Sequence, residues 1–147
     1  MAADFKSSPE AAGGYLLWRA TLLWQRHIKR VVQPFGLTQV QFALLASLLW
    51  LEKSEKKLNQ QKIANYVGIE KMMTSEVLRT LEKKGLVQRT KDAADIRNSL
   101  VHLWPAGRKI TRAALGEVLR EDELFLKPLG KDKKQFLMLL SRLIGDR

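Results

Sequence analysis

Between Leu58 and Arg89 the chain reads LNQQKIANYVGIEKMMTSEVLRTLEKKGLVQR, and this stretch leaves few folds open. Asn59 is a suitable N-cap, because its side-chain oxygen can accept a backbone N–H of the first helical turn. Ile63, Ala64 and Val67 then recur at helical spacing and face inward. Gly68 can adopt the left-handed conformation that stops a helix. The spacing predicts a second helix from Glu70 to Lys84, ended by Gly85. On a helical wheel Met73, Val77, Leu78 and Leu81 share one face, and Lys71, Met72, Ser75, Arg79, Glu82 and Lys83 fall on the other. A short helix, a glycine turn and a second helix with a polar outer face define a helix-turn-helix.

The flanking sequence extends this unit. VQRTKDAADIRNSLVHL at 87–103 places two strand-suited runs around a polar tip, with KDAAD supplying the turn chemistry. Val101 and Leu103 alternate with Leu100 and His102, so the hairpin has two faces. Upstream, Ser8 ahead of Pro9 suits a helix start, although Gly13 and Gly14 weaken it and move the ordered part towards Tyr15. Leu16, Leu17, Ala20, Leu23, Trp24, His27 and Ile28 keep helical spacing until Pro34 and Gly36. Thr38 can cap the next helix, LTQVQFALLASLLWLEK, which is apolar on most sides and therefore central. KSEKK at 53–57 is a basic connector. Pro105 opens a long helix that Pro128 and Gly130 interrupt, and the closing KDKKQFLMLLSRLIGDR carries Phe136, Leu140, Leu143 and Ile144 on one stripe. The expected fold class is mainly α with a small β-hairpin wing: a winged helix-turn-helix with additional helices at both ends.

Composition narrows the function. The chain has 147 residues, which fits one domain with a real core, and a formal net charge of +11. A surplus that large points to a polyanionic partner: DNA, RNA or an acidic membrane surface. Cysteine is absent, which excludes disulfides, thiolate metal sites and thiol redox chemistry. His27 and His102 lie far apart without carboxylates at ligand spacing, so no metal site and no cofactor is expected. MAADFKSSPEAAGG lacks the features of a signal peptide, and no apolar run approaches the roughly 20 residues a bilayer span needs. The expected location is cytoplasmic.

FGLTQVQFALLASL at 35–48, LNQQKIANYVGI, TSEVLRTLEKKGLVQR and DIRNSLVHLWPAGR at 95–108 occur in this order. The last contains Asp, any residue, Arg, three residues, an apolar residue, any residue, Leu, and a Gly shortly after. In this order and spacing the chain resembles the MarR-type transcriptional regulators over nearly its whole length. The resemblance implies one domain over 1–147, with about 9–31 and 105–147 as dimerisation helices and about 37–104 as the DNA-binding part. It implies a triangular homodimer in which 9–31 and 131–146 interlock with the partner chain. The two wings and reading helices then enter successive grooves of a pseudo-palindromic operator on double-stranded DNA, most often to repress.

The residue types support that role independently. Lys71 and Arg79 can donate to guanine or phosphate, and Ser75 to either. Lysines and arginines on a helix face are, taken alone, most often simply solvated. Thr74 falls in the same helix and is counted with the DNA-contact residues. Met72 can touch a thymine methyl, although packing within the domain is the favoured reading. Arg97 on the narrow wing tip suits the minor groove, and Asp95 can hold the wing or that arginine in place. Arg89, with Lys56, Lys57 and Lys91, reads equally as a phosphate contact or as a solubility charge. Two positions depart from the family. Glu76 stands where a basic residue is frequent; it can accept from cytosine N4, or orient Arg79 or Arg89. Trp104 replaces a capping threonine, with Pro105 setting the first helical φ in compensation, and is expected to pack between wing and dimer helices.

In the family, small phenolic or otherwise aromatic and anionic ligands often bind between the dimer helices and the winged domain. Candidates here are Trp18, Trp24, His27, Phe42 and Trp50, with Arg19 or Arg26 as anion partners, although aromatics at helical spacing are more often core. No nucleophile motif, phosphate-binding glycine loop or paired carboxylate site suggests an enzyme. A non-specific DNA architectural protein shares the charge but needs no two-faced recognition helix. A membrane-surface binder needs an exposed apolar face on a basic helix, which this pattern assigns to internal or dimer contacts.

Overall fold

The computed structural model describes Ser8 and residues 12–145. Helix α1 spans Gly13–Val32, so the expected start at Pro9 lies outside the described residues, as does the end of the chain from Asp146. Val32 passes into a 3₁₀ turn, Gln33–Phe35, around Pro34. Helix α2, Gln39–Leu51, begins with a reciprocal cap. Thr38 Oγ1 accepts the Gln41 N–H and Gln41 Oε1 accepts the Thr38 N–H, both at 3.1 Å. Leu44, Leu45 and Leu48 are fully buried, which makes α2 the centre of the molecule.

Helix α3, Gln60–Val67, is capped by Asn59, whose Oδ1 accepts the Lys62 N–H at 2.8 Å. Gly68 ends it at φ 81°, a conformation costly for any residue with a Cβ. Helix α4, Lys71–Lys83, buries Leu78 and Leu81 beneath α2 and α3. The third inward position is Thr74 rather than Met73. Thr74 is fully buried with its hydroxyl donating to the Glu70 carbonyl at 2.9 Å, whereas Met73 is exposed. A threonine satisfied by its own helix enters a core at little cost, and a wheel drawn on apolarity alone misses it.

Strands β1, Val87–Lys91, and β2, Ser99–Leu103, pair antiparallel with Val87 opposite Leu103 and Lys91 opposite Ser99. Val87, Val101 and Leu103 are buried, and His102 is exposed. The Val101 N–H also donates to the Leu58 carbonyl at 2.8 Å, which fastens the hairpin to the segment before α3.

Helix α5, Pro105–Leu126, runs back along α1 and α2. A 3₁₀ stretch, Lys127–Asp132, breaks at Gly130 and leads into α6, Lys133–Ile144. Trp104 is 42% exposed in the single chain, and its backbone makes the junction. Its N–H donates to the Leu86 carbonyl at 3.0 Å and its own carbonyl accepts the Arg108 N–H at 2.9 Å. Gly107, one turn on, lies so close to that corner that a Cβ would stand 2.0 Å from the Leu86 oxygen. No single helix among the described residues is long and apolar enough to cross a membrane.

This contact makes a stability prediction. Gly107→Ala forces α5 away from β1 and costs about 2–3 kcal/mol, as overpacking of a close contact does. Urea unfolding checks it; a variant as stable as wild type rules the close approach out as a constraint.

Candidate nucleic-acid interface

The outer face of α4 presents Lys71, Met72, Glu76 and Arg79 to solvent, with Ser75 half-buried beside them. Met72 is 77% exposed, so the expectation that it packs within the domain does not hold. Thr74 lies on the opposite side, and its hydroxyl is unavailable to DNA. Glu76 forms no ion pair among the described residues and orients neither Arg79 nor Arg89. The carboxylate that takes Arg89 is Glu82, which accepts from its Nε at 2.7 Å, while Nη1 of Arg89 reaches Ser75 Oγ at 3.5 Å. Arg89 is therefore a strut from β1 to α4. This pair was not legible from local pattern, because its members stand seven positions apart across a corner of the chain.

The wing tip is a chain of turns. The Asp92 N–H donates to the Asn98 carbonyl at 3.0 Å, and the Asn98 N–H to the Asp95 carbonyl at 2.9 Å. Asp95 Oδ1 accepts both the backbone N–H of Arg97 at 3.1 Å and its Nε at 3.2 Å, and Oδ2 lies 3.5 Å from Nη2. Asp95 thus grips the arginine as the sequence suggested, and the Arg97 side chain remains 87% exposed. Of the other cations named from the sequence, Lys57 pairs with Asp92 at 3.4 Å, whereas Lys56 and Lys91 are exposed without a carboxylate partner among the described residues.

The five aromatic and histidine candidates for a ligand site do not converge. Phe42 is core, Trp18 is a surface residue of α1, and Trp50 is exposed with Lys53 Nζ 5.0 Å from its ring centre. Trp24 and His27 instead tie α1 to α5. The indole N–H of Trp24 donates to Asp122 at 2.7 Å, and His27 Nδ1 meets Glu121 at 2.5 Å. Two cavities take their place. One, of about 250 Å³ between α1, α5 and α6, includes Trp24, Phe125 and Phe136. The other, of about 310 Å³, lies among Ser47, Trp50, Lys53, Tyr66 and Leu115. Sequence reasoning missed Tyr66, which carries no local signal of its place.

A reading helix with a polar outer face, braced against an arginine-tipped hairpin, defines a winged helix-turn-helix protein of the DNA-binding, regulatory class. Residues 37–99 match the MarR family. YdcH of Bacillus subtilis, an uncharacterised HTH-type transcriptional regulator, is 39% identical over 138 residues, 94% of this chain and 93% of its own. The transcriptional repressor CouR of Rhodococcus jostii, bound to a 23-mer DNA duplex, superposes with a TM-score of 0.81 at 28% identity, covering 97% of this chain and 99% of that one. The PcaV transcriptional regulator of Streptomyces coelicolor, in complex with its natural ligand, superposes at 0.76 with 27% identity over 98% and 96% of the two chains. The chain belongs to the MarR family and is a transcriptional regulator, not an enzyme.

Asp92 at the wing base carries a pH signature. The Ala94 N–H at 2.9 Å, and after it Lys57, hold its carboxyl below the ordinary carboxylate range against the opposing pull of burial. A carboxylate depressed in the fold contributes stability above its unfolded pKa of about 3.9, and that contribution is lost as pH falls through the lowered folded value. Amide-exchange protection at Ala94, relative to Val101, should therefore fall as the medium is acidified below about pH 4. Asp92→Asn should lack that step; a step of equal size in the variant assigns it elsewhere.

Proposed function

We propose that this chain is a sequence-specific repressor that binds a pseudo-palindromic operator as a homodimer. The observation that carries the reading is the coupling of two DNA-suited features through one side chain: Arg89 braces the outer face of α4 against the first strand of a wing that displays Arg97. Lys71, Met72, Ser75, Glu76 and Arg79 meet the major groove. Arg79 donates to guanine, Glu76 accepts from cytosine, and Met72 covers a thymine methyl. Arg97 enters the minor groove, where negative potential attracts a guanidinium. Lys56, Lys83 and Lys91 contact phosphates.

Dimerisation is supported by the apolar side chains that α1, α5 and α6 leave exposed, among them Leu16, Leu23, Leu119, Leu124, Leu137 and Leu143. Residues 37–104 then form the DNA-binding part and α1, α5 and α6 the dimer part. Repression follows the DNA-bound repressor CouR. Release by a small aromatic acid is supported by the cavity at Trp50, where Lys53, Ser47 and Tyr66 offer a cation, a hydroxyl and a second aromatic ring.

Selection from random duplexes tests this. A two-fold symmetric site with half-sites about one helical turn apart is the expected result. Arg79→Ala should cost about 1–3 kcal/mol and relax the preference at one base pair per half-site. Binding without any enriched sequence, governed by salt alone, overturns the reading in favour of a general DNA-coating protein.

The recovered site also tests Met72. Replacing one thymine by uracil in each half-site removes only its methyl, worth about 0.8 kcal/mol when buried. Wild type should lose about that much per half-site, and Met72→Ala should bind both duplexes alike.

A further inference from the structure

Among the described residues, four large apolar side chains are more than seven-tenths exposed: Met72 at 77%, Leu143 at 76%, Ile96 at 75% and Ile144 at 72%. Leu143 and Ile144 end α6, on the proposed dimer side. Met72 stands at the start of the reading helix. Ile96 stands at the extreme tip of the wing, and nothing in the fold or in base recognition accounts for it.

The turn at Ile96 is tight. The Asn98 N–H closes it onto the Asp95 carbonyl, which leaves Ile96 and Arg97 as its two central residues. Such positions favour Gly, Pro, Asn, Asp and Ser, each for a backbone or hydrogen-bonding reason that a β-branched hydrocarbon lacks. Asp95 draws the Arg97 guanidinium back along the turn. No such hydrogen bond holds Ile96, whose side chain is 75% exposed at the tip.

We propose that Ile96 is an apolar minor-groove contact, packing against the deoxyribose walls beside the strand that Arg97 approaches. This rests on the reading of the wing given above and adds a component that charge does not supply. The groove presents phosphates only at its rim. Its walls are sugar C–H surface, and proteins that bind it bring isoleucine, leucine and similar side chains into the groove, frequently as wedges at base steps. Ile96 and Arg97 are adjacent on one turn, so a wing placed for the guanidinium carries the isoleucine into the same groove. The chemistry predicts a division of labour. Arg97 contributes a salt-dependent term, because it displaces counterions. Ile96 contributes a term that is insensitive to salt, because it buries hydrocarbon.

The test is a salt titration of DNA binding by fluorescence anisotropy. It uses the operator duplex recovered by selection and a random-sequence duplex of the same length. Wild type, Ile96→Ala, Ile96→Leu and Arg97→Ala are compared. We expect Ile96→Ala to weaken binding about 5-fold per wing, the effect of partial burial of the three lost carbons, with the slope of log affinity against log salt unchanged. Ile96→Leu should restore the affinity. Arg97→Ala should weaken binding and flatten the slope by about one unit per wing. If Ile96→Ala binds like wild type while Arg97→Ala is weakened, Ile96 makes no contact, and the wing assignment survives. If Ile96→Ala flattens the slope as well, its effect runs through Arg97, and the apolar contact is wrong. If neither variant matters, the wing does not reach DNA and both readings fall. The exposed tip puts folding at little risk, which thermal unfolding of each variant verifies.

Discussion

The carbonyl oxygen of Leu86 accepts the N–H of Trp104 and lies against the bare Cα of Gly107. Leu86 closes the corner between the reading helix and the wing, and Gly107 belongs to the first turn of the long helix α5. Through this contact the corner between α4 and β1 is joined directly to the start of α5. Thr111 lies one turn further along; its buried hydroxyl donates to the Gly107 carbonyl at 2.6 Å, so the seam holds no unpaired polar group. Arg108 then donates through both terminal nitrogens to the Glu52 carboxylate at the end of α2. A side chain at position 107 would separate these partners together.

The basic residues divide into two populations. Arg89, Arg108, Lys57 and Lys84 reach partners on other elements; Lys84, just past α4, donates to the Gly36 carbonyl at 2.6 Å. Such partly exposed pairs are each worth about 0–1 kcal/mol, too little to hold a helix in place. The position of α4 comes from burial of Leu78, Leu81 and Thr74. The pairs fix finer degrees of freedom: Arg89 sets the wing against the helix, and Lys84 pins the end of α4 to the corner between α1 and α2. Arg79, Lys71, Lys56 and Lys91 have no carboxylate partner among the described residues. They add to the field of a chain with net charge +11, which draws in a polyanion before any contact forms.

What the sequence disclosed was local. Thr38, Asn59, Gly68 and Pro105 each mark an element boundary through chemistry contained within four residues, and the structure uses all of them, adding Gln41 as the reciprocal partner of Thr38. The alternation in Ser99–Leu103 is equally local. Features that depend on the fold were not legible. Met73 and Thr74 exchange places because the core is entered at Thr74, Leu78 and Leu81, and a hydroxyl bonded within its own helix passes for an apolar group there. Glu82 rather than Glu76 receives Arg89 because the corner after α4 turns β1 back along the helix. The aromatic residues scatter because helical spacing places Trp18, Trp24 and His27 on one helix without saying what lies opposite; Asp122 and Glu121 of α5 do.

The contact between Asp95 and Arg97 raises a question of economy, since in the proposed DNA complex a carboxylate beside that cation opposes the attraction. Geometry resolves it. A guanidinium has five N–H donors in a fixed plane. Asp95 engages Nε and one terminal nitrogen, which leaves donors on the far edge of the fork for a partner. The same carboxylate holds the Arg97 backbone N–H, so both ends of the side chain are referred to one fixed oxygen. A free arginine loses its rotamer freedom on binding, about 0.5–1.5 kcal/mol, and an exposed pair worth about 0–1 kcal/mol offsets part of that. In the proposed complex Asp95 thus gives up some long-range attraction, which the rest of a strongly basic chain supplies, for orientation of Arg97.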